Sequence, residues 1–145
     1  VFNFRQAKVS MSNVKLELWD TAGQEKYTSM APLYYRGAAG AVLVFDITNK
    51  ESFLKIKEWY SELKQMEGDR VSVIIVGNKN DRKKERQIND EDINDYVNSI
   101  NAKVMYVSAK TGEGINEMFK QLTEDIVANP NSYGANFKVV LLGNS

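Results

Sequence analysis

Residues 71–81 read VSVIIVGNKND, a nearly unbroken apolar run that ends in a polar tail. An alternating pattern would leave one side of a strand in water, whereas this run predicts a strand that is buried on both faces. Residues 41–45 and 139–142 show the same pattern. Continuous apolar strands of this kind are typical of a parallel sheet that is covered on both sides by helices.

Amphipathic helices are predicted between these strands. In the clearest one, apolar residues recur at helical spacing: Phe53, Ile56, Tyr60, Leu63 and Met66. Two further stripes occupy residues 93–100 and 115–126, and all three are interpreted as core packing. Asn49 and Asn89 precede the first two helices and are predicted to cap them. Alternation of strands and helices predicts an α/β fold, an open and mostly parallel sheet with helices on both faces.

The beginning of the chain follows a different pattern. Residues 14–19 alternate, so Leu16 and Leu18 face a core while Trp19 shares the opposite face with Glu17. We therefore expect the large Trp19 ring to lie outside the core. Residues 1–11 are predicted to form a partner strand, with a tight turn at residues 12–13. The result is one antiparallel hairpin at an edge of the sheet.

Length and composition narrow the class of protein. The 145 residues fit a single domain, 1–145, in which residues 129–136 resemble a linker before the final strand. Nineteen basic and nineteen acidic side chains cancel, so no strong field recruits nucleic acid. Cysteine and histidine are absent, which excludes disulfides and thiol nucleophiles and leaves acid–base chemistry to carboxylates, lysine, amides or water. A reducing, cytoplasmic setting is the expectation.

Polar motifs follow the strands, where an open α/β sheet binds its ligand. After residues 14–19 comes the segment DTAGQE at residues 20–25. Asp20 could reach a Mg²⁺ ion through water, and Gly23 could bring its backbone N–H close to a phosphate. Gln24 carries both a donor and an acceptor, which suits it to orient an attacking water. A simple polar turn is the alternative explanation of this short pattern.

Two further motifs point to a purine base. The Asp81 carboxylate could accept hydrogen bonds from N1–H and the 2-amino group of guanine, a donor pair that adenine lacks. The Lys79 stem could lie along the base, and Asn78 could join neighbouring loops. The SAK segment at residues 108–110, which is Ser108, Ala109 and Lys110, could add a backbone N–H for the guanine oxygen. Each motif alone also fits a solvated loop.

Taken together, these motifs carry a family resemblance. WDTAGQE at 19–25, NKND at 78–81 and SAK at 108–110 resemble the signature motifs of Ras-superfamily small GTPases. YYRGA at 34–38 and DITN at 46–49 resemble the Rab branch, and residues 29–35 resemble its early-endosomal members. The resemblance implies a P-loop NTPase fold and a GTP/GDP switch that uses Mg²⁺, hydrolyses GTP slowly and serves vesicular traffic.

The resemblance also implies partners and a location. Such proteins meet effectors, exchange factors and GTPase-activating proteins, and they are cytoplasmic but peripheral on endomembranes through a lipid anchor. Phe2, Trp19 and Tyr34 match the aromatic triad that Rab proteins present to effectors. The alternative is that these rings pack against the switch regions without a partner.

The order of the motifs departs from the family. The phosphate loop normally follows the first strand, but here residues 137–142 form the last strand and the loop stops after Gly143, Asn144 and Ser145. A circular permutant joined by residues 129–136 would explain this order. The alternative is that the pieces of an ordinary Rab stand here in an unusual order, with the rest of that loop, the first helix and the first switch absent.

This order leads to two expectations. Gly143 and Asp20 must converge on one phosphate–Mg²⁺ site, so the strand at 137–142 should lie inside the sheet, between the strand that ends at Asp20 and the strand at 40–46. The 145-residue chain alone should bind GTP or GDP weakly. The alternative function is a nucleotide-deficient interaction module that retains only the surface of Phe2, Trp19 and Tyr34.

Overall fold

The computed structural model of the protein describes residues 5–11, 14–20, 36–131 and 137–143. Nine main elements and two short 3₁₀ helices, Gly68–Arg70 and Asn80–Glu85, lie in these ranges. In chain order the main elements are β1 (Arg5–Met11), β2 (Val14–Asp20), β3 (Gly40–Asp46), α1 (Lys50–Glu67), β4 (Ser72–Asn78), α2 (Asp90–Ser99), β5 (Lys103–Tyr106), α3 (Ile115–Ala128) and β6 (Phe137–Gly143).

The six strands form one sheet in the order β1-β2-β6-β3-β4-β5. Only the β1–β2 pair is antiparallel, and all other neighbours are parallel. This arrangement confirms the predicted α/β fold with one antiparallel hairpin at an edge. Residues 1–4 of the predicted first strand and the predicted turn at residues 12–13 lie outside the described residues.

The C-terminal strand lies inside the sheet, as predicted. β6 pairs with β2 on one side, where Leu18 is opposite Val139, and with β3 on the other, where Val42 is opposite Leu141. Val139 and Val140 point to opposite faces, and both are fully buried. A strand with apolar residues on both faces is stable only where helices cover both sides, which explains its central position.

Helices cover the two faces unequally. α1 and α2 pack on one face, against residues such as Phe45 and Ile75, while α3 packs on the other against Val42 and Ile74. α3 approaches the sheet so closely that a Cβ at Gly40 would come within 2.8 Å of Ile126 Cδ1. An apolar cavity of about 210 Å³ also lies on the α3 face. None of the helices in the described ranges is long and apolar enough to span a membrane.

Both predicted helix caps are present. The Asn49 side chain accepts a hydrogen bond from Glu51 N–H at 3.0 Å, and the Asn89 side chain accepts one from Asp92 N–H at 2.8 Å. Each cap satisfies a backbone donor that the first turn of a helix leaves without a partner.

The buried face of α1 differs from the predicted one at its end. Met66 is 42% exposed, whereas Trp59, which the predicted stripe omitted, is 4% exposed. The buried positions run from Ile56 through Trp59 and Leu63 to Glu67, so the last step is four residues rather than three. Because a helix has 3.6 residues per turn, a stripe extended by three-residue steps drifts off the buried face.

The α3 layer leads to a stability prediction. Leu122→Ala should lower the free energy of unfolding by about 2–5 kcal/mol, because Leu122 is fully buried and its removal leaves a cavity. Val127→Ala on the same helix is the matched control and should cost no more than about 0.5 kcal/mol, since Val127 is 61% exposed. Urea unfolding followed by circular dichroism measures both variants. Equal losses would contradict the described packing of α3.

Candidate functional site

The carboxyl ends of the parallel strands lie along one edge of the sheet. β2 ends at Asp20, β6 at Gly143, β3 at Asp46 and β4 at Asn78. Asp20 is in register with Leu141 on β6, and Asp46 is in register with Asn78 on β4. The topology therefore gathers residues of the WDTAGQE, NKND and DITN motifs and of the predicted phosphate loop at the edge where open α/β sheets bind ligands.

Asn78 joins two loops at this edge. Its side chain is 5% exposed, and its Oδ1 accepts a hydrogen bond from the backbone N–H of Ala109 at 3.0 Å. Its backbone oxygen accepts from Ile47 N–H at 3.2 Å. Of the backbone amides in the SAK segment, which was predicted to offer one N–H to a guanine oxygen, that of Ala109 is thus already used inside the protein. The next amide belongs to Lys110, which is exposed.

Lys79 is held by a buried carboxylate. Its backbone adopts the left-handed conformation (φ 67°, ψ 34°), which is uncommon for a residue with a side chain. Lys79 Nζ lies 2.8 Å from Asp46 Oδ2, across the end of the neighbouring strand. The strained turn and the ion pair together fix where the Lys79 stem runs at the mouth of the site.

Asp46 is the carboxylate that holds Lys79 in place. It is 7% exposed, and its Oδ1 accepts hydrogen bonds from Thr48 N–H at 2.8 Å and from Thr48 Oγ1–H at 2.6 Å. Burial by itself would raise the pKa of Asp46, but the hydrogen bonds from Lys79 and Thr48 outweigh it and hold the pKa below its ordinary value. The carboxylate is therefore ionised at neutral pH and able to pair with Lys79.

Asp81 is presented to solvent by Ser108. The Ser108 hydroxyl donates to Asp81 Oδ1 at 2.7 Å, while Ser108 itself is fully buried. Ser108 is fixed in turn because its Oγ accepts from Thr111 N–H at 3.2 Å. The hydrogen bond from Ser108 lowers the pKa of Asp81, and the positive charges of Lys110 and Arg82 act in the same direction. Asp81 is thus an exposed, ionised acceptor with a defined orientation.

A cavity of about 570 Å³ opens beside this carboxylate. Its lining residues come from the two loops: Asn78, Lys79, Asp81, Arg82, Ala109 and Lys110. Five of the six predicted base-contacting residues line it, and the sixth, Ser108, stands behind Asp81. A volume of this size suits a small-molecule ligand. An acceptor between cationic side chains would suit a planar ring with adjacent N–H donors and an attached anionic group.

Gly143 occupies a position that requires glycine. Its φ is +147°, and a Cβ there would collide with the backbone carbonyl of Val44 on β3. A side chain at this point would push β6 away from β3 just where the strand ends. Asn144 and Ser145 lie outside the described residues.

The remaining predicted site residues are described incompletely. Gly23 and Gln24 lie outside the described residues, as do Phe2 and Tyr34, and of Asp20 only the backbone is described. The described ranges contain no cluster of three or more acidic side chains that could hold a metal ion. The structure therefore places Asp20 and Gly143 on neighbouring strands of one edge, and it leaves the Mg²⁺ role of Asp20 a prediction.

Trp19 lies on the face that the alternation predicted, but it is not outside the core. The ring is half-buried and packs against the apolar cluster beneath α1 and α2. Its Nε1–H donates to Glu17 Oε1 at 3.0 Å. The expectation that the ring lies outside the core was wrong because the face of β2 that carries Glu17 is also partly covered by helices.

Sequence reasoning missed three residues: Asp46, which pairs with Lys79; Arg82, which lines the cavity; and Lys138, which lies over the Trp19 ring. Asp46 ends a continuous apolar strand at the same edge as Asn78, so its place at a strand end was a usable signal. Arg82 follows Asp81 directly, but nothing in the pattern indicates that it lines the cavity. Lys138 is a charge inside an apolar strand, which is an anomaly that could have been noted.

Comparison with known proteins agrees with the motifs. The Ras family matches residues 1–128. The chain is 43% identical over 129 residues to the Ras-related protein Rab-21 of Geodia cydonium, covering 88% of the chain and 56% of that protein. It is 40% identical over 126 residues to Rab-21 of Homo sapiens, covering 87% and 56%. It is 43% identical over 128 residues to Rab-22A of Mus musculus, covering 86% and 66%.

The chain spans little more than half the length of the Rab-21 proteins that it matches. The match nevertheless includes every motif at the carboxyl edge except Gly143, which lies beyond residue 128. The cavity beside Asp81, the left-handed Lys79 and the exposed Asp81 come from the same matched region. The chain belongs to the Ras family, among its Rab members.

Proposed function

We propose that the protein is a Rab-like molecular switch that binds GTP and GDP and hydrolyses GTP in vesicular membrane traffic. The observation that carries the proposal is the exposed Asp81 carboxylate, oriented by Ser108 at 2.7 Å beside a cavity of about 570 Å³. An ionised acceptor in this position would bind the paired N1–H and 2-amino donors of guanine and would reject adenine.

The phosphates and Mg²⁺ are proposed to bind further along the same edge. β6 brings Gly143 next to the strand that ends at Asp20, so a backbone amide and a carboxylate would face the same ligand group. Asp20 would hold Mg²⁺ through water, Gly23 would contact the γ-phosphate, and Gln24 would orient the attacking water. When bound, Mg²⁺ would neutralise the charge that develops on the phosphates.

The proposed partners follow from the Rab relatives. Effectors would contact a surface that consists of Phe2, Trp19 and Tyr34, while exchange factors and GTPase-activating proteins would act on the nucleotide site. We propose that the protein works at the cytoplasmic side of endomembranes. The half-buried Trp19 supports this surface, because a ring held at one edge by Glu17 offers a partner a preformed apolar contact.

Base recognition provides the main test. Asp81→Asn should weaken the preference for guanine over xanthine nucleotide by at least about a hundredfold, because the amide donor would face the donors of guanine but would meet the 2-oxygen of xanthine. Competition between GTP and XTP, measured for binding and hydrolysis by the full-length protein, gives the ratio.

Asp95→Asn is the matched control for that experiment, since Asp95 is an exposed aspartate on α2 outside the cavity. It should leave the guanine preference unchanged. If the Asp81→Asn variant still prefers GTP over XTP as strongly as the unsubstituted protein does, the proposed role of Asp81 in base recognition is refuted. A parent protein that binds no guanine nucleotide would instead support the interaction-module alternative.

The ion pair between Asp46 and Lys79 leads to a prediction about the pH dependence of stability. Because the folded-state pKa lies below the ordinary value of 3.8, the stabilisation by the carboxylate is present above that value and is lost as the pH falls through the folded-state pKa. Asp46→Asn should therefore cost about 1–3 kcal/mol in free energy of unfolding at pH 7 and clearly less near pH 3.

Urea unfolding at a series of pH values measures this difference. Asp69→Asn is the control, because the Asp69 side chain is 89% exposed and lies 3.8 Å from Lys64 in a surface ion pair. It should change the free energy by less than about 1 kcal/mol at any pH. A cost for Asp46→Asn that does not vary with pH would show that its carboxylate charge is not the stabilising feature.

The proposed effector surface has its own test. Trp19→Ala should weaken binding of effector proteins that recognise the similar Rab proteins by about thirtyfold or more, as expected for a central aromatic contact. Leu54→Ala is the control, since Leu54 is a 50% exposed apolar residue on α1. Isothermal titration calorimetry compares the two variants. Equal affinity in both would exclude Trp19 from the surface.

A further inference from the structure

Lys138 is the one charged residue of β6, whose sequence is FKVVLLG. It is half-buried and lies opposite Glu17 in the β2–β6 register. Its Nζ lies 4.0 Å from the centre of the Trp19 ring and donates a hydrogen bond to the backbone oxygen of Arg36 at 2.9 Å. One ammonium group thus contacts both an aromatic face and the chain just before β3.

Trp19 is therefore held on two sides. Lys138 covers a face of the indole, and Glu17 accepts a hydrogen bond from its Nε1–H at 3.0 Å. A cation over an aromatic face is attracted by the electron density of the ring, and tryptophan provides the strongest such attraction. Because Glu17 and Lys138 are cross-strand neighbours, the register of β2 and β6 places both groups around one ring.

Two carboxylates balance the charge of Lys138. Burial lowers the pKa of Lys138, while the nearby charges of Glu17 and Glu67 act in the opposite direction. Glu67, at the end of α1, is 8% exposed and accepts a hydrogen bond from Gly37 N–H at 3.2 Å. Lys138 and Glu67 therefore hold consecutive residues, Arg36 by its oxygen and Gly37 by its N–H.

An apolar side chain at position 138 would continue the apolar pattern of β6 without the cost of removing an ammonium from water. The lysine provides what an apolar residue lacks, which is a directional contact with Trp19 and with the backbone at Arg36. Arg36 follows Tyr34 by two residues in the sequence, so Lys138 joins the Trp19 ring to a backbone segment that is close in sequence to a second residue of the proposed effector surface.

We propose that Lys138 is a positioning residue that orients the Trp19 ring for partner binding and links it to the backbone at Arg36. This inference rests on the proposed effector surface. Lys138 itself need not touch a partner, since its ammonium lies between the ring and the Arg36 carbonyl. Its effect is to restrict the rotation of the ring, so that a partner meets one orientation instead of several.

Trp19 fluorescence tests this role without a partner. The 145-residue chain contains two tryptophans, so a Trp59→Phe background leaves Trp19 as the single emitter. In that background Lys138→Met should raise the acrylamide quenching constant by about two- to fivefold and increase the fast anisotropy decay, because the ring loses its cover. Lys138→Arg should restore values close to those of lysine, since arginine also stacks on tryptophan.

The control is Lys103→Met. Lys103 lies on β5, and its Nζ pairs with Asp125 Oδ1 on α3 at 2.9 Å. It should not change Trp19 quenching. If Lys138→Met fails to fold by circular dichroism, Lys138→Gln takes its place, because the amide keeps a donor for the Arg36 oxygen but loses the cation. Unchanged quenching in the folded variant, or an arginine variant that is quenched as strongly as the methionine variant, would overturn the proposal.

The two hypotheses fail separately. If quenching does not respond to Lys138, the positioning role is wrong, and the effector surface still stands or falls with Trp19→Ala. If Trp19→Ala binds effectors normally while quenching responds to Lys138, then Lys138 orients a ring that has no part in partner binding, and the proposed use of that orientation is refuted.

Discussion

The pairing of β6 with both β2 and β3 is the interaction on which the rest of the structure depends. β2 pairs with β1 on one side and with β6 on the other, so β6 is what connects the hairpin to the rest of the described sheet. In the β2–β6 pairing Leu18 lies opposite Val139, and in the β3–β6 pairing Val42 lies opposite Leu141. β6 therefore holds Asp20 at the common edge, although β6 is the last strand described in the chain and lies far from β2 in sequence.

The candidate site consists of two parts with different structural support. The cavity proposed to bind the base is built by the loops after β4 and β5, which are adjacent strands, and Asn78, Asp81 and Ser108 hold those loops to each other. The part proposed to bind the phosphates depends instead on the β2–β6 and β3–β6 pairings near Gly143. Local disturbance of β6 should therefore affect phosphate contacts before it affects base recognition.

Much of this arrangement could be predicted from the sequence, because each successful inference rested on a local pattern or a chemical requirement. Continuous apolar strands, the two asparagine caps and the position of the last strand between β2 and β3 are of this kind. The ion pair of Lys79 with Asp46 and the contact of Lys138 with Trp19 join residues far apart in the chain, and no periodicity reports such pairs. The face of α1 was misjudged at Met66 because three- and four-residue steps are both helical.

The central position of β6 also matters while the protein is being made. Among the described strands, β1 and β2 are synthesised before β6, which is the last to emerge. Until then the edge of β2 that will pair with β6 lacks that strand, and Leu16 and Leu18, which end up buried, have no β6 beside them. Open edges and exposed apolar side chains favour aggregation of nascent chains. We therefore expect the edges of β2 and β3 that will pair with β6 to need chaperone protection during synthesis.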